Sequence, residues 1–175
     1  VSGASTITMQ LVRLSRHGKP RTITEKIKEM IIAVRTEISY SKRKILAKYA
    51  SHAPFGGNVV GLDAAAWRYF GTGASNLSWA EAATLAILPN APGLIFPGRN
   101  QHLLIVKRNE LLKKLKNRGI VDDETYRLAL LEPAPNPANP LPQDAPHLLT
   151  RCIKDGLTGK LVVTTIDRRI QDNVS

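Results

Sequence analysis

The chain has 175 residues, 43% of them hydrophobic and 22% charged, which suits one globular domain with a short tail and excludes a disordered or collagen-like polymer. Its longest compact apolar run, Met30 to Val34, falls far short of the roughly 18–20 residues of a membrane span, and the single cysteine, Cys152, excludes an internal disulfide. Twenty-five Lys and Arg against 14 Asp and Glu give a net charge of +11, most of it within residues 1–52, so an anionic partner is expected: nucleic acid, an anionic bilayer surface or a phosphorylated substrate.

The chain opens on Val1 without a basic-then-apolar leader and reads as a processed piece of a longer protein. Gly3-Ala4-Ser5-Thr6 runs into a helix carrying Gln10 and Arg13. A small-residue turn entering a helix exposes free amides at a positive dipole end, which suits phosphate, although spacing alone favours a plain N-cap at Ser5 or Thr6. From Thr22 to about Tyr40, Ile23, Ile27, Ile31, Val34 and Ile38 recur at helical spacing, and Thr22 with Glu25 forms a capping-box pattern. A third helix starts after Ser41 and is broken by Pro54-Phe55-Gly56-Gly57-Asn58. A fourth spans about Leu62 to Phe70, with Trp67, Tyr69 and Phe70 expected in the core.

Ser78 and Glu81 make another capping box, heading a helix that ends at Pro89. A long basic helix from Gln101 to Asn117 carries Leu103, Val106, Leu111 and Leu115, with Gly119 capping it. Asp122 or Asp123 starts a short helix ending near Leu131. Six prolines between Pro133 and Pro146 mark a linker. Lys160 to Asp167 is the best strand candidate, read as the opening of a following domain. The expected fold is mainly α, with residues 1–132 as the helical domain, 133–146 as a Pro-rich linker and 147–175, including a short β-like segment, as the start of the next region.

For chemistry, Glu25 sits among Arg21, Lys26 and Lys28, so its pKa is expected to be lowered. It has three readings: orienting cations, binding a metal or acting as a base. The competing reading is that it only completes the cap with Thr22. Gly56-Gly57-Asn58 offers close backbone approach to a ligand, but Gly-Gly is more often a turn. No Ser/His/Asp arrangement, phosphate-binding lysine loop or zinc spacing is present in the sequence.

The segments GASTITMQLVRL, RTITEKIKE, KRKILAKYASHAPFGGNVVGLDAAAWRYFG and LSWAEAATLAILPNAPGLIFP occur in an order and spacing that resemble family 51 peptidoglycan glycosyltransferases, the glycosyltransferase domains of class A penicillin-binding proteins. The closing GKLVVTTIDRRIQ resembles the approach to the transpeptidase domain of the same parent chain. The resemblance implies a lysozyme-like helical fold and polymerisation of lipid II into a nascent glycan strand, with release of undecaprenyl pyrophosphate. It places the parent on the periplasmic face of a bacterial inner membrane, held by an upstream anchor helix. It implies no required cofactor, with magnesium an option.

By motif, Ser5, Thr6, Gln10 and Arg13 would line the donor phosphate site, joined by Lys26 and Asn58. Arg21 and Glu25 would match the arginine and second glutamate of the third motif, with Glu25 organising the cations. The Ile31-Ile32 region and flanking basic residues would rest on an anionic leaflet. Three departures stand out. Nothing in the sequence matches the family's Glu-Asp-x-x-Phe base motif, so the fragment alone is expected to be inactive; Thr22 replaces a lysine; and Ser51 replaces an asparagine. The alternative is a lysozyme-like lytic glycosidase, whose acid needs a raised pKa. Nucleic-acid binding leaves the motifs unexplained, and the basic region lacks the interleaved aromatics of a single-strand binder.

Overall fold

The computed structural model describes residues 5–16, 22–139, 146–158, 160 and 162–167. Within them run eight α-helices: α1 (Ile7–Ser15), α2 (Ile23–Ser39), α3 (Lys42–His52), α4 (Leu62–Phe70), α5 (Trp79–Ile87), α6 (Gln101–Asn117), α7 (Asp123–Leu131) and α8 (Pro146–Lys154). The chain divides into two compact units, residues 1–139 and 140–175.

Local chemistry sets most helix ends in the first unit. Thr6, Thr22, Ser41, Ser78 and Asp122 each occupy an N-cap and accept the backbone N–H three residues on. Only at Ser78 is the capping box complete, with Glu81 returning to the Ser78 N–H at 2.9 Å. Past α6, Gly119 takes φ +67° and the Ile120 N–H closes on the Leu115 carbonyl at 3.0 Å, satisfying a carbonyl the helix leaves free. Helix α5 tightens after Ile87 into a 3₁₀ turn over Leu88–Asn90 that contains Pro89.

The main core lies in the middle of the sequence, where Tyr69 and Phe70 were expected to pack. Ala53, Phe55, Tyr69, Leu85, Leu88 and Leu104 are buried in one cluster, joining α4, α5, α6 and the connection after α3. Tyr69 reaches back from α4, its hydroxyl donating to the carbonyls of Phe55 and Gly56 at 3.1 and 2.9 Å. Trp67 departs from expectation: it lies on the outer side of α4 and is 39% exposed.

The register of α6 also differs from the sequence reading. Its inward line is Leu104, Arg108 and Leu112, while Leu103 and Val106 face solvent. The reason is Arg108, whose buried guanidinium donates from Nη1 to the Glu132 carbonyl at 2.8 Å. Burial lowers its pKa, and the hydrogen bonds offset the cost of desolvation. The same region pins the start of the Pro-rich stretch. Gln101 Nε2 donates to the Pro135 carbonyl at 2.7 Å, and the Asn139 N–H donates to the Arg68 carbonyl at 2.6 Å.

In the second unit, α8 was not anticipated. Its Leu148, Leu149, Cys152 and Ile153 help to line an open apolar groove of about 460 Å³. The β-like segment does not form a strand: residues 162–167 have no ladder partner among the described residues, and a strand exists only through its pairing.

The Gly56-Gly57-Asn58 loop is built by close packing. A Cβ at Gly56 would lie 2.5 Å from Phe96 Cβ and 3.0 Å from the Pro92 carbonyl oxygen, at a φ of +83°. Gly119 has a similar φ but open space around it. Gly56→Ala should therefore cost at least ~2 kcal/mol, and Gly119→Ala only about 1 kcal/mol. Urea unfolding of the two variants checks this, and equal losses would contradict the close approach.

Candidate functional site

Helix α1 carries the residues singled out near the amino end. Met9 and Val12 turn inward against Ala33 of α2, with Ile32 packed beside them. Thr6, Gln10 and Arg13 follow one another at four- and three-residue steps, so they share an adjoining face. Thr6 is the N-cap, accepting the Met9 N–H at 3.2 Å, and Ser5 before it is exposed. Gln10 points toward α3, where the Tyr49 hydroxyl donates to its Oε1 at 2.9 Å. Burial pushes the Tyr49 phenol up, so it stays a neutral donor, and the Gln10 Nε2 is left to donate elsewhere. Arg13 is half-buried, and its side chain makes no hydrogen bond or ion pair among the described residues.

Two polar ties make α1 and α2 antiparallel. Near one end the Thr8 hydroxyl donates to Glu37 Oε1 at 2.7 Å. At the other, Arg16 Nη2 donates to Glu25 Oε2 at 2.6 Å. Glu25 Oε1 faces Lys28 Nζ at 3.4 Å. Its backbone N–H is capped by Thr22 at 3.2 Å, but the carboxylate does not complete the box; it turns to α1 instead. The Arg16 hydrogen bond, reinforced by the charges of Arg16 and Lys28, holds the carboxyl below the ordinary glutamate range against an opposing effect of desolvation. Such a group is a fixed anion that orients cations and a poor general acid.

Of the candidate residues, Gln10 and Arg13 lie on α1, Thr6 is its N-cap with Ser5 just before it, and Glu25 is joined to the far end of that helix through Arg16. Lys26 is exposed in the first turn of α2. Arg21 lies outside the described residues. Asn58 sits in the turn after α3 with φ +62°, exposed, and no side-chain hydrogen bond among the described residues links it to α1. Sequence reasoning missed Arg16, which pairs with Glu25 alongside the Lys28 that it had named. The signal was only its place in the basic block, since a nine-residue separation has no helical periodicity. Arg16 Nε is buried without a hydrogen-bond partner among the described residues.

The donor set does not suit a divalent cation. Both Glu25 oxygens are engaged by cations, and no three His, Cys, Asp or Glu side chains gather among the described residues.

Because the folded pKa of Glu25 is depressed, its contribution to stability is present above the unfolded-state pKa and lost as pH falls through the folded value. Arg16→Met should raise the Glu25 carboxyl toward the ordinary range and flatten the acid side of the stability profile. A carboxyl-carbon NMR titration reads the first effect and unfolding against pH the second; an unmoved Glu25 titration would mean that the pair does not form in solution.

Comparisons with known proteins give the arrangement its context. A family model described as transglycosylase matches residues 1–116. Penicillin-binding protein 1C of Escherichia coli is 37% identical over 171 residues, 98% of this chain and 22% of that protein. Penicillin-binding protein 1A of Aquifex aeolicus is 37% identical over 133 residues, 76% of this chain and 18% of that protein. The chain thus spans about a fifth of the length of these curated relatives. The crystal structure of penicillin-binding protein 1A from Haemophilus influenzae shares the fold, with a TM-score of 0.52 and 19% identity over 91% of this chain and 21% of that one. The helical order and these matches agree: the chain belongs to the transglycosylase family found in the penicillin-binding proteins.

Proposed function

We propose that the parent of this chain is a peptidoglycan glycosyltransferase that polymerises lipid II into glycan strands and releases undecaprenyl pyrophosphate. In this reading residues 1–132 belong to the glycosyltransferase domain, 133–146 to a linker and 147–175 to the start of a transpeptidase region in a bifunctional penicillin-binding protein. The observation that carries it is the ionised Glu25 held by Arg16 and Lys28 at one end of a helix bearing Arg13 and Gln10.

The chemistry follows from charge. As an acceptor sugar 4-hydroxyl attacks the anomeric carbon of the growing chain, the lipid pyrophosphate departs with inversion and negative charge accumulates on its oxygens. Arg13 and Lys26, which make no ion pair among the described residues, are available to meet it, with amide and hydroxyl donors from Gln10, Ser5 and Thr6. Donors fixed before the reaction stabilise that charge without reorganising. Arg21 and Asn58 complete the assigned set. Glu25 keeps the cation cluster from repelling itself apart and does not activate the nucleophile. That step needs a base, assigned to a glutamate upstream of residue 1, so the 175-residue chain alone should make no polymer. No cofactor is required, and no step runs through a metal.

The lytic alternative loses ground here, because Glu25 is shifted in the direction opposite to a glycosidase acid. An anionic membrane surface, the inner membrane on its periplasmic side, remains the proposed partner. The residues offered to it are on α3: Lys42, Arg43, Lys44 and Lys48 are exposed, with the Lys44 and Lys48 ammonium groups 5.0 and 5.4 Å from the Tyr40 ring centre. Each cation near such a surface is worth roughly 1 kcal/mol. The expected Ile31-Ile32 contact changes, since Ile32 packs inward beside Met9 and Val12 and only Ile31 faces out.

In the full-length parent supplied with lipid II, Glu25→Gln and Arg13→Ala should each lower kcat for polymer formation by about 100-fold or more, the scale of losing one preorganised charge-stabilising group. Gel analysis of labelled glycan measures it. Wild-type rates in both variants would remove this end of α1 from the site, and release of soluble sugar from finished glycan without lipid II would favour lysis.

A further inference from the structure

Two tryptophans stand exposed in the first unit, Trp67 on α4 at 39% and Trp79 at the start of α5 at 43%. Their polar surroundings differ. Next to Trp79, Ser78 engages the carboxylates of Glu81 and Glu132, donating to them at 2.9 and 2.6 Å. Around Trp67 the polar groups are unengaged. Asp63, Trp67 and Gly71 follow at four-residue steps and share one face of α4 and its C-cap. Asp63 is exposed, and its carboxylate makes no hydrogen bond or ion pair among the described residues. At the other end Asn139 lies against Gly71: its N–H donates to the Arg68 carbonyl at 2.6 Å, and its Nδ2 is 3.8 Å from where a Cβ on Gly71 would stand. The Asn139 amide is exposed and makes no side-chain hydrogen bond among the described residues. Arg68, half-buried, also makes none, and its Nη1 is buried without an acceptor. An indole is thus bracketed along about 12 Å of helix by a free carboxylate and a free amide, with a guanidinium on the adjoining residue.

This set selects its ligand by chemistry. A sugar ring has an apolar face of C–H groups that packs on an indole, and a rim of hydroxyls that pair with planar carboxylate, amide and guanidinium groups. A protein partner is a poorer fit. The exposed part of the Trp67 side chain is on the order of 100 Å², against roughly 800 Å² on each side of a stable protein interface. A lone exposed apolar side chain is ordinary surface. What sets Trp67 apart from Trp79 is the unpaired polar group on either side of it. The place is also separate from the phosphate-directed face of α1, since α4 packs on α3 and α5 and does not touch α1 among the described residues.

We propose that the outer face of α4 is a second glycan site, which holds a strand already free of its lipid, with Trp67 as the platform and Asp63, Arg68 and Asn139 as the hydroxyl partners. The choice of a glycan as the sugar ligand rests on the glycosyltransferase reading; the platform itself does not.

The test titrates the full-length parent in detergent with lipid-free glycan strands stripped of their peptides, which carry no diphosphate, and reads affinity by calorimetry. Trp67→Ala should weaken binding by about ten-fold or more, and Asn139→Ala by about three-fold or more, while Trp79→Ala keeps the wild-type affinity. Trp67→Phe, which retains a smaller ring, should fall between the wild type and Trp67→Ala, and it carries the test if the alanine variant does not fold. An equal loss in Trp79→Ala, displacement of the strands by inorganic pyrophosphate, or no binding by the wild type would each overturn the proposal. Lipid II polymerisation by the same preparations is read separately. Polymer without strand binding would remove only this site, and strand binding without polymer would remove only the reaction assigned above.

Discussion

The pair between Arg16 and Glu25 governs the amino-terminal third of this protein. Without it the first turn of α2 would have only its Thr22 cap, and the contact between α1 and α2 would rest on Met9, Val12, Ala33 and the partly buried Ile32. That apolar patch is small. With the pair in place, and Thr8 bonded to Glu37 at the opposite end, two helices that share little core are fixed in direction and register.

The same interaction determines what Glu25 can do. A glutamate three residues after an N-cap threonine or serine has two competing partners, the cap N–H and whatever lies across the helix. Glu81 takes the first course and closes its box with Ser78. Glu25 takes the second, because Arg16 comes within 2.6 Å. One carboxylate therefore ends as a local structural cap. The other is a buttressed anion held ionised between the cations of Arg16 and Lys28.

A different economy operates in the larger helical core. There a buried guanidinium does what an aliphatic side chain usually does. Arg108 occupies an inward position between Leu104 and Leu112 and binds the carbonyls where the chain leaves α7. The start of the Pro-rich stretch is consequently packed on the first unit, with Ala134 and Ala138 against the main core. Proline and alanine lack the donors and bulk to specify such a path; the carbonyls accept from Gln101 and Arg108, and the Asn139 amide donates to Arg68.

What the sequence alone determined is what depends on near neighbours along the chain. Caps at Thr22, Ser41, Ser78 and Asp122, the break at Pro54 to Asn58 and the glycine after α6 all follow from bonds closed within five residues, so their chemistry is written locally. The class of the fold and the family were legible for the same reason, since helical periodicity and motif spacing are one-dimensional. Tertiary structure decided the rest. It made Arg16 the partner of Glu25, turned the isoleucine stripe of α2 outward, buried Arg108 and exposed Trp67. A helix's periodicity says that it has an apolar face but not which way that face points, and a pairing across nine residues and two helices has no signature in either helix alone. Direction and distant pairing are settled only when the elements compete for one another's surfaces.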